Sequence, residues 1–186
     1  ERERDLELDA AFGIEQIEAI AWTGVSTSKQ DINPGLEAAH NLRDILSRWA
    51  VAGEDEDDRP AEAPLPVVYP DDVVDRLMRA IESLMVVASE SMQHQVYAAL
   101  LRGLAVTFDR LPPPLASRAE EIVLRSLAGL GDHVLTAELE EALSLMAEAL
   151  AAAGRSTGAE AVRVARDELA ESVGRLNSRG TRVPER

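Results

Sequence analysis

Apolar residues recur at intervals of three and four positions along most of the chain, which is the spacing of one face of an α-helix. Seven such segments can be recognised. The first covers residues 5–23, the second begins near residue 33, and five more lie within residues 71–176. Alanine and leucine, both strong helix formers, dominate these segments. The pattern predicts an all-α protein in which about seven helices pack as antiparallel hairpins in a bundle.

The first predicted helix carries two apolar stripes instead of one. They run along nearly opposite sides of the helix, with Leu6, Ala10, Ile14, Ile17 and Ala21 on one side and Leu8, Phe12 and Ala19 on the other. A helix that is apolar on two sides is covered on two sides, either at the centre of a fold or partly in an interface. Trp22 and Trp49, near the ends of the first two helices, are expected to pack in the core, and an exposed one would mark a contact surface.

The helix boundaries divide the chain into four parts. Residues 1–50 form an N-terminal helical hairpin, and residues 71–176 form a five-helix bundle that packs with the hairpin as one domain. Between them, residues 51–70 hold the acidic run 54–58 and prolines at positions 60, 64, 66 and 70, which is typical of a linker. Residues 177–186 are predicted to be a frayed tail.

Local signals mark where several helices begin and end. Asn33 can cap the second helix, with Pro34 at its first position. Thr157 and Glu160 can form a capping box for the seventh. Stop signals follow the fourth, fifth and sixth helices at prolines 112–114, at Gly131 and at Gly154.

The predicted helix starts recur at a nearly constant interval. Those near residues 71, 114 and 156 are about 43 residues apart, as are those near 91 and 134. Paired-helix repeats have periods of roughly 40–47 residues. Residue similarity between the units is weak, however, and stacked antiparallel pairs explain the spacing without a true repeat family. A solenoid-like arrangement therefore stays open beside the plain bundle.

Composition and charge exclude several classes of partner. The chain has 186 residues, no cysteine and a formal net charge of −15. Without cysteine it has no disulfide, thiolate nucleophile or cysteine-based zinc site. A surface this acidic repels phosphate, and no basic stripe with interleaved aromatic residues is present, so we expect no nucleic-acid partner. No segment approaches the roughly 20 uncharged apolar residues that a membrane span needs.

One short motif could carry metal chemistry. Glu37 and His40 form a Glu-x-x-His on the second helix, with Asp44 one turn later, and di-iron bundles use that spacing. A di-metal site needs the motif twice, and it occurs once here. Glu90 and His94, four positions apart, are a weaker match. A solvated helix flank is the better interpretation. We predict no metal, no cofactor and no catalytic residue, and we expect the protein not to be an enzyme.

The stretch from residue 9 to residue 21, with Phe12-Gly13-Ile14 near its start, resembles a known pattern. It is similar to the start of the C-terminal soluble region of a bacterial membrane-protein family, the domain-of-unknown-function family 2254. The matching positions are Asp9, Phe12, Gly13, Gln16, Asn33 and Pro34. The loop departs from the family, because residues 28–31 lengthen it and the Asp between Asn and Pro is missing. A site lined by that loop would be altered here. The resemblance covers about residues 5–50.

The resemblance implies a parent chain embedded in a bacterial membrane, with this region soluble and on an undefined side. The sequence begins without Met inside the charged stretch 1–5, so we also expect it to continue upstream.

The leading hypothesis for function is an interaction, oligomerisation or regulatory module that forms a homo-oligomer. The alternative is a small-molecule or ion sensor with a pocket between helices near Gln16, Asn33 and His40. A metal-assisted hydrolase is a third, less favoured hypothesis. The residues predicted to form a functional surface are Gln16, Asn33, Glu37 and His40.

Overall fold

Seven α-helices and two short 3₁₀ helices account for most of the described chain. In this computed structural model the described residues are 9–27, 32–56, 73–131 and 134–171. The helices are α1 (Ala10–Thr27), α2 (Asn33–Glu56), α3 (Val73–Glu90), α4 (His94–Thr107), α5 (Pro113–Leu127), α6 (Ala137–Ala152) and α7 (Ser156–Glu171). The 3₁₀ helices Phe108–Arg110 and Ala128–Leu130 directly follow α4 and α5. The prediction of an all-α bundle of seven helices is confirmed.

Successive helical hairpins stack on one another. Helix α1 packs on α3, α3 on α5 and α5 on α7, while α2 packs on α4 and α4 on α6. The odd and even helices therefore form two layers, which are joined by contacts of α1 with α2, α3 with α4, and α6 with α7. Helices α3, α5 and α7 begin at residues 73, 113 and 156, and α4 and α6 at 94 and 137. This nearly even spacing gives the bundle a solenoid-like arrangement over a short length.

The core lies between the two layers and is centred on α3 and α4. Leu77, Leu84 and Met85 of α3 and Leu101 of α4 have no solvent-exposed surface. These residues belong to the apolar faces that the sequence pattern predicted. Each face is wide because both helices are surrounded by neighbours, so α3 and α4 are buried along most of their length.

Helix α6 ends at the predicted glycine. Gly154 has a φ of +74°, a left-handed conformation that side chains with a Cβ rarely adopt. The N–H of Arg155 donates to the carbonyl of Leu150, and that of Gly154 donates to the carbonyl of Ala151. These are the two hydrogen bonds of a Schellman motif, which satisfies carbonyls at the end of the helix.

Two predicted caps lie one or two residues from the observed positions. In α2 the N–H of Leu36 donates to the carbonyl of Ile32, so Ile32 holds the N-cap position and Asn33 is the first helical residue. In α7 the first carbonyl acceptor is Arg155, so the capping box predicted at Thr157 begins two residues too late. The tight turn before Arg155 lets α7 start immediately, which the box pattern does not reveal.

The first two helices both end later than the sequence pattern predicted. The carboxylate of Asp9 accepts from the N–H of Phe12, so Asp9 caps α1, which begins at Ala10 and continues to Thr27, beyond the predicted end at residue 23. Residues 5–8 of the predicted first helix lie outside the described residues. Helix α2 continues through Glu56, which makes residues 51–56 of the predicted linker helical. The helix continues through Gly53 because one glycine destabilises a helix by only about 1 kcal/mol. Residues 57–70 of the linker, the tail 177–186, and positions 6 and 8 of the predicted stripes lie outside the described residues.

Candidate functional site

Helix α1 has one packed side and one exposed apolar side. Ala11, Ile14, Ala21 and Val25 are buried on the packed side, and α1 makes its contacts with α3 and α2. The opposite side, which we call the outer face of α1, has Phe12, Gln16, Ala19 and Thr23 along its middle and Ile20 and Trp22 on its two flanks. Ile20 is 65% exposed and Trp22 49% exposed. The expectation that Trp22 packs in the core is therefore wrong, whereas an exposed tryptophan is the feature that marks a contact surface.

The outer face of α1 is nearly free of charge. Within Ala10–Thr27 the ionisable residues are Glu15 and Glu18, and no basic residue is present. Glu15 forms an ion pair with Arg76 of α3, which ties its charge to the bundle. In a chain with a net charge of −15, the side chains that define the outer face are all uncharged, because Glu15 and Glu18 are not among them.

The C-terminal end of α1 is held firmly against the bundle. The side-chain amide of Gln93, in the turn between α3 and α4, donates to the carbonyl of Val25 over 2.9 Å, and this bond is buried. Gly35 of α2 lies so close to α1 and α4 that a Cβ there would come within 2.6 Å of Val25 and 2.9 Å of Val96. The outer face is therefore presented by a helix in a fixed position.

The residues predicted from sequence lie on two separate surfaces. Asn33, Glu37 and His40 are exposed and lie on one side of α2, as their spacing of four and three requires. Gln16 is exposed on the outer face of α1. No hydrogen bond among the described residues joins Gln16 to the α2 set. The structure thus brings three of the four together.

The α2 set does not have the geometry of a metal site. Asp44, one turn beyond His40, is exposed and pairs with Arg43 at 2.7 Å. No group of three or more histidine, aspartate and glutamate side chains within the described residues is placed to hold a metal ion. A cavity that touches α2 near Ala39 and Leu42 holds only about 10 Å³, and it lies on the buried side of the helix.

Glu90 and His94 do not share a helix face. Glu90 is the last residue of α3 and His94 the first of α4, with a turn between them. The turn contains Met92 in the left-handed region, with a φ of 57°. The four-residue spacing of Glu90 and His94 therefore does not place them on one helix face, and the weaker of the two motif matches is wrong.

One buried polar pair was missed by the sequence analysis. The hydroxyl of Tyr97 on α4 lies 2.6 Å from the Oγ of Ser126 on α5, and Ser126 also donates to the carbonyl of Val123 at 2.7 Å. Burial raises the pKa of Tyr97 well above its ordinary value, and the hydrogen bond with Ser126 offsets this only partly. Tyr97 has no exposed surface, so its role is to join two helices. Tyr97 follows the helical apolar spacing of Leu100, Leu101 and Leu104, but this spacing does not indicate that Ser126 is its partner.

None of the helices in the described part of the chain combines the length and the apolar character needed to cross a bilayer.

Comparison with models of protein families, with curated proteins and with solved structures finds no match to this chain. The class of protein is given by the fold: an all-α bundle of stacked helical hairpins that exposes the large apolar side chains of Ile20 and Trp22 on its first described helix.

Proposed function

We propose that this chain is a helical interaction module that self-associates through the outer face of α1. The observation that carries the proposal is the exposure of Ile20 and Trp22 on a helix whose other side is already packed. Covering such side chains removes apolar surface from water, which is worth roughly 1.5–3 kcal/mol for each large side chain that becomes fully buried. In an interface between two identical copies, Ile20 and Trp22 of both chains would be buried.

The position of α1 in the stack supports the proposal. In an array of stacked helix pairs each pair covers the apolar face of the next, and the terminal pairs need a polar outer face to stay soluble. Helix α2 meets this requirement, with Glu37, His40 and Arg48 exposed. Helix α1 does not, because it exposes the large apolar side chains of Ile20 and Trp22. Exposed apolar side chains at this end of the described stack fit one more packed helix, and in the proposed dimer the same face of a second copy provides it.

The lack of charge on the outer face of α1 permits a second copy as the occupant in spite of the net charge. Two chains that each carry −15 repel one another. The outer face of α1 allows close approach because it has no basic residue and few acidic ones. A two-fold contact in which α1 meets α1 pairs neutral surface with neutral surface.

The regulatory or structural context is proposed from the resemblance of residues 5–50 alone. We propose that the module belongs to a bacterial membrane protein of the domain-of-unknown-function family 2254. The reading frame of the gene tests this: apolar segments of roughly 20 residues encoded upstream of Glu1 are expected. A full-length product without such segments would contradict it.

Sedimentation velocity over a range of concentrations tests self-association. We expect the wild-type chain to form a dimer and Ile20→Glu to weaken it on the order of 100-fold, because roughly 1.5 kcal/mol is lost at each of two buried isoleucines. Val164→Glu on α7 is the matched control, since Val164 is 46% exposed and receives the same charge change. It is expected to dimerise like the wild type.

Tryptophan fluorescence gives a second measurement at the same face. In a Trp49→Phe background Trp22 is the only tryptophan. Its emission is expected to shift to shorter wavelength as the concentration rises, and Ile20→Glu is expected to abolish the shift. A wild-type chain that stays monomeric at high concentration would overturn the proposal, as would a dimer that Ile20→Glu and Val164→Glu affect equally.

A further inference from the structure

A groove of about 740 Å³ opens where the end of α4, the start of α5 and the last turns of α6 meet. We call it the α4–α6 groove, and it is lined chiefly by Val106, Phe108, Leu111, Ala149, Ala152 and Arg155. It shares no lining residue with α1 or α2, so it is separate from the proposed self-association face. Its volume falls within the range of small-molecule sites, roughly 300–1,000 Å³.

The groove exists because small residues line one wall and a fixed aromatic ring lines its floor. Alanines at 149 and 152 leave open the space that a leucine or phenylalanine would fill on α6. Phe108 is buried, and the 3₁₀ helix Phe108–Arg110 leads the chain away from α4 before α5 begins. Val106, 57% exposed, forms part of the apolar lining. A ligand in this groove therefore needs an apolar body.

The positive charge at the groove is already neutralised. The guanidinium of Arg155 pairs with the carboxylate of Glu120 and donates to the Oγ of Ser117 at 3.1 Å. It also lies 5.8 Å from the centre of the Phe108 ring. Because its charge is paired with Glu120 and both terminal nitrogens already donate within the fold, Arg155 lines the groove and offers little to an anion.

Two carboxylates at the groove are not paired in this way. Asp109, in the 3₁₀ helix, and Glu148, on α6, line the groove and are exposed. Within the described residues neither forms an ion pair. Together with the pair formed by Arg155 and Glu120, they give the lining a negative balance, which the net charge of −15 reinforces at longer range.

We propose that the α4–α6 groove binds a small organic cation with an apolar body, such as a hydrophobic amine. The apolar part packs on Phe108, Val106 and the alanines of α6. The protonated amine lies at the edge of the groove between Asp109 and Glu148. This site differs from the pocket that the sequence placed near Gln16, Asn33 and His40, and it would make the module a ligand-responsive one.

Three compounds that share one apolar body and differ in head-group charge test the proposal. In isothermal titration calorimetry we expect 4-phenylbutylamine to bind, 4-phenylbutanol to bind more weakly, and 4-phenylbutyrate to bind least. Amide chemical shifts in ¹⁵N spectra are expected to move in residues 105–111 and 145–155. Equal binding of all three compounds, or shifts centred elsewhere, would overturn the proposal.

Variants separate the charge and shape contributions. The double variant Asp109→Asn/Glu148→Gln is expected to weaken amine binding roughly fivefold, the combined effect of two exposed charge pairs, and to leave the alcohol unchanged. Glu121→Gln/Glu140→Gln makes the same change of charge on exposed positions of α5 and α6, and it is expected to bind like the wild type. Ala149→Phe should fill the groove and abolish binding of every compound. A cooperative thermal melt is expected to show that this variant is still folded. Binding that survives Ala149→Phe in a folded protein would refute the site.

Discussion

At the scale of single residues, the junction between α4 and α5 depends on a hydrogen bond that no helical pattern encodes. Tyr97 and Ser126 are 29 positions apart in the chain, and both are buried. A buried hydroxyl without a hydrogen-bond partner is destabilising. The bond between Tyr97 and Ser126 offsets the cost of removing both hydroxyls from water. The pair also fixes how α4 is rotated against α5, since the hydroxyl reaches Ser126 from one orientation of the helix.

Tyr97→Phe is predicted to lower the free energy of unfolding by about 1 kcal/mol at neutral pH, as measured by chemical denaturation. The loss is modest because Ser126 keeps its bond to the carbonyl of Val123.

Tyr97→Phe is also predicted to change how the free energy of unfolding depends on pH. In the unfolded chain a tyrosine loses its proton near pH 10, while in the folded chain Tyr97 keeps it, because burial raises its pKa. The unfolded state therefore binds fewer protons above pH 10, and stability falls as the pH rises. The stability that the raised pKa of Tyr97 contributes is fully present below pH 10 and is lost as the pH rises above it. We expect the wild type to lose stability more steeply than Tyr97→Phe above pH 10. Parallel curves for the two proteins would show that the folded environment does not perturb Tyr97.

At the scale of elements, the close contact of α1, α2 and α4 depends on a glycine. Gly35 sits in the first turn of α2, where a Cβ would meet the branched side chains of Val25 and Val96. Valine is stiff about its first side-chain torsion, so these methyl groups cannot move aside easily. The absence of a side chain at position 35 therefore sets how closely the first hairpin approaches α4.

Gly35→Ala is predicted to destabilise the fold by about 1–2 kcal/mol, because overpacking outweighs the gain in helix propensity. A double-mutant cycle with Val25→Ala, measured by thermal or chemical denaturation, identifies the cause. Val25→Ala should cost less in the Gly35→Ala background than in the wild type, since it removes the closest clash. Strictly additive effects would mean that the two positions are not in contact.

At the scale of the whole molecule, a net charge of −15 opposes compaction and association alike. Several ion pairs join neighbouring helices, among them Arg118 with Asp75 and Arg102 with Glu141. These pairs are at least partly exposed to solvent, and such pairs contribute little individually. General repulsion between carboxylates is therefore expected to dominate the response of the fold to salt.

Raising NaCl from about 0.01 M to 1 M shortens the Debye length from roughly 30 Å to roughly 3 Å. We predict that the melting temperature, followed by circular dichroism, rises over this range because repulsion is screened. A variant with fewer surface acids, Glu121→Gln/Glu140→Gln, should show a smaller rise. A melting temperature that falls with salt would mean that the inter-helix ion pairs outweigh the repulsion.

The sequence by itself determined the helices, most of their inner faces, the stop at Gly154 and the acidic surface. These follow from local rules, because periodicity, glycine conformation and charge are properties of neighbouring residues. It placed the cap of α2 one residue late and ended α2 too early, since helix ends depend on small energy differences that packing can reverse.

Only the tertiary structure decided which side of α1 is buried, that Tyr97 contacts Ser126, and where the α4–α6 groove opens. The sequence showed two apolar stripes on the first helix but gave no means of choosing between them. Packing on α3 covers the side with Ile14 and Ala21 and leaves Ile20 and Trp22 exposed. The groove forms between two stretches that are distant in the chain, 105–116 and 145–155. Contacts at such separations depend on how whole helices are arranged, and no local pattern of residues encodes that arrangement.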